Sequence, residues 1–163
     1  MRHILRRHEI EADDWVHLGE EVAPGAPLIV PVSALRAEPE RWRSWAGPLG
    51  IRISPTDPVE DLGTVLPRIS LVAVEFPNSG DGRGYSQGRL LRTRLNFRGE
   101  LRALGPGVRQ DQVFLLARCG FDAFELAPGE DLEAARRALS RYSVAYQPGA
   151  SAVSLSRQRF PAP

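Results

Sequence analysis

Apolar residues along this chain come in short bursts, each closed by proline, glycine or a polar cluster. The strongest is Ile69-Ser70-Leu71-Val72-Ala73-Val74-Glu75-Phe76. A run with so little alternation predicts an interior strand of a parallel sheet, covered on both faces. Weaker bursts predict strands at Leu28 to Val30 (halted by Pro31), Leu49 to Ser54, Leu101 to Leu104, Ala123 to Leu126, and a last short one at Ser143 to Gln147. Between them the apolar spacing turns helical. Ser33 reads as an N-cap ahead of Leu35, Trp42, Trp45 and Ala46, and Asp57-Pro58 opens a short helix to Leu66. Further helices are expected over Tyr85 to Leu95, Gln110 to Cys119 and Asp131 to Tyr142; the last places Leu132, Ala135, Leu139 and Tyr142 on one side. Before all of these, Arg2 to Leu18 alternates loosely, as an edge hairpin does.

Strand and helix thus alternate about five times with short connections. That pattern predicts an α/β domain with a parallel sheet of about five strands, doubly wound, helices packed on it and an N-terminal β-hairpin. A partial βα barrel of about five units is the alternative, because a full barrel needs about 250 residues. The expected organisation is one domain over 1–147, with the hairpin in 1–22 and a flexible tail over 148–163.

Composition narrows the chemistry by exclusion. All 21 basic side chains are arginine, so a Schiff-base lysine, a pyridoxal phosphate anchor and a Walker A lysine are ruled out. Arginine instead favours planar two-point binding of carboxylate, sulfate or phosphate. A lone cysteine, Cys119, allows no internal disulfide and no thiolate metal site of its own. It falls at a predicted helix C-terminus before Gly120, where the dipole disfavours a thiolate, and it reads as structural. The three histidines, His3, His8 and His17, sit near the N-terminus, so an imidazole reaches the central body only if that segment folds over it. Net charge is +1, no apolar run is long enough to span a membrane, and no secretory signal precedes the acidic residues from Glu9. A cytoplasmic protein without nucleic-acid or membrane partners, and without cofactor or metal, is expected.

Candidate chemistry concentrates in the segment from Glu75 to Gln87, which leads from the central strand into a helix. Asp81, Gly82, Arg83, Gly84 and Ser86 offer a glycine-rich approach, free N–H groups and a guanidinium, with Arg89 and Arg92 one turn further on. This is the expected anion- or partner-binding site; the plain alternative is a tight turn and a helix cap. The spacing misses the dinucleotide fingerprint by one residue. From Arg83 to Arg109 seven arginines face one acid, Glu100, and the chain then turns acidic from Asp111 to Glu133. Such a split predicts either pairing across the fold or a basic patch for an acidic partner. Glu75, Asp81 and Glu125 are carboxylates near strand ends, weak candidates for acid–base work. Trp42 and Trp45 read as core and rim packing.

Several of these segments carry a resemblance. Phe76-Pro77, Asp81-Gly82-Arg83-Gly84-Tyr85-Ser86, Arg89-Leu90-Leu91-Arg92, Gly99-Glu100-Leu101-Arg102-Ala103, Asp111-Gln112 and Arg118-Cys119-Gly120-Phe121-Asp122-Ala123-Phe124 are similar, in order and spacing, to the bacterial domain-of-unknown-function family DUF934. The chain departs from the family pattern at Ser79, where an aromatic is usual, and in the loop from Gly105 to Gln110, one residue longer than usual. Members are commonly encoded beside sulfite reductase and phosphoadenylyl-sulfate reductase and are often labelled oxidoreductases. The resemblance implies an accessory or binding protein of assimilatory sulfite reduction, with sulfite reductase as partner. The alternative it leaves is a small enzyme or anion-binding protein that handles a sulfur oxyanion or sulfonucleotide through the Arg83 loop. It supplies no catalytic residues.

Overall fold

A computed structural model describes residues 2–141 of the chain. The strand expected over 143–147 and the tail 148–163 lie outside the described residues. The chain opens with a hairpin, β1 (His3–Arg6) and β2 (Glu9–Ala12), joined by Arg7 and His8, both at positive φ. Two such residues between antiparallel strands make the turn whose twist suits a hairpin. Beyond it the chain does not stay at that edge. β3 (Val16–His17) lies at the opposite side of the sheet, parallel to β4 (Leu28–Pro31). There follow α1 (Val32–Ala37), α2 (Pro39–Arg43), β5 (Leu49–Ile53), two short 3-10 turns, and β6 (Leu71–Glu75). After these come α3 (Arg83–Thr93), β7 (Glu100–Leu104), α4 (Val113–Arg118), β8 (Ala123–Phe124) and α5 (Leu132–Ser140).

The expected doubly wound parallel sheet of about five strands does not form. Among the described residues the sheet has eight strands in the order β2-β1-β8-β7-β6-β5-β4-β3 and is mixed: β3 to β8 run parallel, and β1 is antiparallel to both β2 and β8. The partial barrel of about five repeated parallel units also differs from this mixed sheet. Each parallel strand adds on the same side of its predecessor, so the order never reverses. Right-handed crossovers then place every connecting helix on one face, and the switch point of a doubly wound sheet does not arise. The sheet curls around its other face into a half-barrel. His17 on edge strand β3 comes within 3.5 Å of Glu125, just after β8. In a flat sheet those strands would be about 24 Å apart, at ~4.8 Å per strand.

Strand alternation sorts the core accordingly. Val30, Ile51, Val72, Val74, Leu101, Ala103 and Phe124 face the helices and join Trp42, Leu62, Leu91, Leu116 and Leu139 in the main core. Ile29, Leu71, Ala73 and Leu104 face the concave side, where Trp15 packs on them. Gly50 makes room for that indole: a Cβ there would stand 3.1 Å from the Trp15 ring.

Two helices differ locally from expectation. The helix expected through Trp42 is broken at Glu38, whose φ of −131° and ψ of 60° are not helical, because Pro39 disfavours the helical region in the residue before it. Its start lies at Pro31, and Ser33 caps nothing. The helix expected from Asp57 to Leu66 is instead a pair of 3-10 turns, Val59–Leu62 and Leu66–Arg68. The Asp57 carboxylate turns back to accept from the backbone N–H and the hydroxyl of Ser54. By contrast Asp131 caps α5, accepting from the N–H groups of Glu133 and Ala134.

β6 lies between β5 and β7, and Leu71, Val72, Ala73 and Val74 are fully buried. Val72→Asp should therefore unfold the domain. An unpaired buried carboxylate costs several kcal/mol, comparable with a total stability of about 5–15 kcal/mol. Circular dichroism melting checks this: a cooperative transition at the parent temperature would contradict the strand's interior position.

Candidate functional site

The Arg83 loop is built mainly from its own contacts. Asp81 Oδ1 accepts from the Arg83 backbone N–H (3.1 Å) and Nε (2.9 Å), and Oδ2 accepts from Nη2 (2.6 Å). These bonds hold the Asp81 carboxyl below its ordinary range. The anion position at the start of α3 is thus filled by the chain's own carboxylate, which an external oxyanion would have to displace. Gly82 and Ser86 are exposed. Gly84 has a packing role: a Cβ there would meet the Phe76 ring at 2.5 Å. One turn on, Gly88 seats Phe121 in the same way, and Phe76 packs edge-on against both Tyr85 and Phe121.

Arg92 and Arg89 have different surroundings. Arg92 is half-buried and donates to the carbonyls of Gly120, Phe97 and Gly99 and to Asp122 Oδ2. It ties α3 to the neighbouring loops and is not available to a partner. Arg89 is exposed. The three strand-end carboxylates are not brought together: Glu75 pairs with Arg52 at 3.0 Å, Asp81 with Arg83, and Glu125 faces the concave side. Among the described residues no group of three or more His, Cys, Asp or Glu is arranged to hold a metal ion. Burial pushes the Cys119 thiol up, against the charges of Arg89 and Arg118, as expected of a structural cysteine.

The densest polar cluster lies inside the half-barrel. Arg102, in the middle of β7, is fully buried. Its Nη1 and Nη2 donate to the two oxygens of Asp13 at 2.8 and 3.0 Å, and its Nε donates to Glu100 Oε1 at 2.9 Å. Arg2 donates to Asp13 Oδ2 and to the Trp15 carbonyl, and Arg6 donates to Glu100 Oε2 and Glu11. Burial alone would raise Asp13, but hydrogen bonds from Arg102 and the charges of Arg102 and Arg2 outweigh it and hold the carboxyl low. Glu125 follows the same logic: desolvation raises it, and His17, Arg2 and Arg102 together bring it below its usual range. His17 approaches Glu125 without a hydrogen bond to either ring nitrogen.

Sequence reading missed this cluster. Its one visible signal was Arg102 alternating with Leu101 and Ala103, a charge on the inward face of an otherwise apolar strand. The partner, Asp13, is 89 residues away. His17 does reach the body of the domain, because the N-terminal segment folds over the concave face.

These features define a mixed α/β half-barrel whose concave face is closed by its own N-terminal segment through arginine–carboxylate pairs. Within that class the chain belongs to the family of bacterial proteins of unknown function, DUF934, whose pattern matches residues 50–155. The match starts in β5. Arg102 and Glu125 therefore lie inside it, while Asp13, Trp15 and His17 precede it. No curated protein matches the chain.

Two outcomes test the cluster. Asp13→Asn should cost up to about 3–5 kcal/mol, because the buried Arg102 loses its two-point partner and keeps only Glu100 at hydrogen-bond distance, whereas Asp13→Leu with Arg102→Met should cost far less. Urea titration of the three proteins measures both; equal losses would show that the pair is not a closed unit. The acid limb follows from the depressed carboxyls. Their stabilisation is complete above the unfolded-state carboxylate range, near pH 4, and is lost as pH falls through the lower folded values. Stability should be level from about pH 5 to 7 and drop below ~4, with a shallower drop in Asp13→Asn.

Proposed function

We propose that this chain is a binding protein that serves assimilatory sulfite reduction by contacting sulfite reductase through the arginine-rich flank of α3. One observation carries the reading. Of the seven arginines from Arg83 to Arg109, four pair within the fold: Arg83 with Asp81, Arg92 with Asp122, Arg102 with Asp13 and Arg109 with Glu130. The other three, Arg89, Arg94 and Arg98, are exposed and make no ion pair among the described residues. They lie on α3 and the segment just after it. Unpaired guanidinium groups on a helix and at its C-terminal end suit an acidic partner surface, since arginine is enriched at interfaces and charge complementarity speeds encounter. The identity of the partner rests on the resemblance and its genomic association with sulfite reductase. The oxyanion reading is less favoured, because Asp81 already occupies the fork of Arg83.

Surface-binding kinetics with sulfite reductase from the same organism test the proposal. The association rate should fall as salt rises, and the Arg89→Glu, Arg94→Glu double variant should slow it with little change in dissociation. Arg92 is left untouched because it holds the fold. No complex at tens of micromolar would reject the reading, and binding indifferent to both salt and the double variant would exclude this flank.

A further inference from the structure

At the end of the sheet away from the Arg83 loop lies a groove of about 350 Å³ between α1–α2 and the 3-10 turns. Leu49, the first residue of β5, and Ile69, just before β6, place it at the amino ends of the parallel strands. Trp42, Trp45, Leu49 and Ile69 supply its apolar lining. Both indole N–H groups are already used: Trp42 Nε1 donates to the Ala34 carbonyl at 3.0 Å, and Trp45 Nε1 to the Ala26 carbonyl at 3.3 Å. Trp42 is buried in the core behind the groove, so it is the half-buried Trp45 ring that offers carbon surface, and neither indole offers a donor. The charged groups of the lining are Arg36, Arg43 and Arg68, with no carboxylate among the lining residues. Arg43 pairs with Glu40 beside the groove, and Arg68 Nη2 donates to the Arg43 carbonyl at 2.9 Å. Arg36 is exposed and has no partner among the described residues.

We propose that this groove is a binding site for a small anion with a flat apolar body, a carboxylate, sulfonate or phosphate carried on a ring system. The volume is at the lower end of small-molecule sites. Aromatic surface holds the body, and the guanidinium groups hold the charge by planar two-point hydrogen bonds. A bare oxyanion would leave the apolar lining uncovered. A neutral ring would leave Arg36 without a counter-charge. The proposal is independent of the contact assigned to α3.

The three tryptophans make the test direct. Trp42 and Trp45 line the groove, while Trp15 lies on the concave side of the sheet and serves as an internal control. The full chain, labelled with ¹⁵N, is titrated with naphthalene-2-sulfonate while the three indole N–H resonances are followed. Saturable movement of the Trp42 and Trp45 signals, with Trp15 stationary, is the expected result. The sulfonate should bind at least about tenfold more tightly than 2-naphthalenemethanol and than inorganic sulfate, since either half alone loses one set of contacts. Arg36→Glu should weaken the sulfonate about fivefold or more without changing the melting temperature. The proposal is overturned if the Trp42 and Trp45 signals do not saturate at millimolar sulfonate. It is equally overturned if the neutral alcohol or sulfate binds as well as the sulfonate, or if Arg36→Glu binds it unchanged.

Discussion

The two-point bond between Arg102 and Asp13 decides how the rest of this structure is arranged. A guanidinium buried in the middle of a strand is costly unless a carboxylate meets it, and no residue near it in sequence supplies both oxygens. Asp13 does so, and in binding there it carries the chain across the concave face from the hairpin at one side of the sheet to β3 at the other. Trp15 then fills the hollow over Gly50, Ile29 and Leu71. The half-barrel is closed by a strap of its own N-terminus, and that strap is held by charge at one point and by an indole at the next.

On the opposite face the controlling constraint is steric. Gly84 and Gly88 stand one turn apart on α3 and let Phe76 and Phe121 reach the helix backbone, so the helix sits close to β6. The glycine-rich segment that reads as a ligand cradle contains a packing device at Gly84, while a Cβ at Gly82 would meet nothing within 4 Å. Asp81 completes it by binding the first residue of the helix. Among the surfaces open to other molecules are the arginine flank beyond that device and the groove at the far end of the strands. Helix packing leaves the first exposed, and the break at Pro39 shapes the helix pair that walls the second.

Charge follows the same economy. The basic stretch and the acidic stretch that succeeds it do meet in the fold, at Arg92 with Asp122 and Arg109 with Glu130. The pairing is incomplete, and the arginines it leaves over are concentrated on and after α3. Neither of the two simple expectations, full pairing or a free basic patch, describes the result alone. Which arginine falls into which group depends on side-chain direction around one helix and along one strand, and linear charge counts do not contain it.

Local structure was legible at several places where a short-range rule governs it, though not at Ser33 or Asp57. The apolar run from Leu71 to Val74 read directly as an interior parallel strand, and the spacing after Asp131 read as a helix, α5. The close of α4 ahead of Gly120 was visible from residue types alone. The family was recognisable from the segments between Phe76 and Phe124, and the match over residues 50–155 shows it. Strand order was not legible, because alternating strand and helix fits a sheet that reverses as well as one that keeps adding on the same side. β3 has two residues, too little signal for a hydrophobic pattern to find, whereas the hairpin of β1 and β2 was legible in the loose alternation before it. The concave cluster depends on Arg102 meeting Asp13 across 89 residues, and the groove on a helix broken by Pro39. Local propensity is written in neighbouring residues. Curl, closure and the placing of free charge arise only when distant segments compete for the same buried partners, and tertiary structure alone decides that competition.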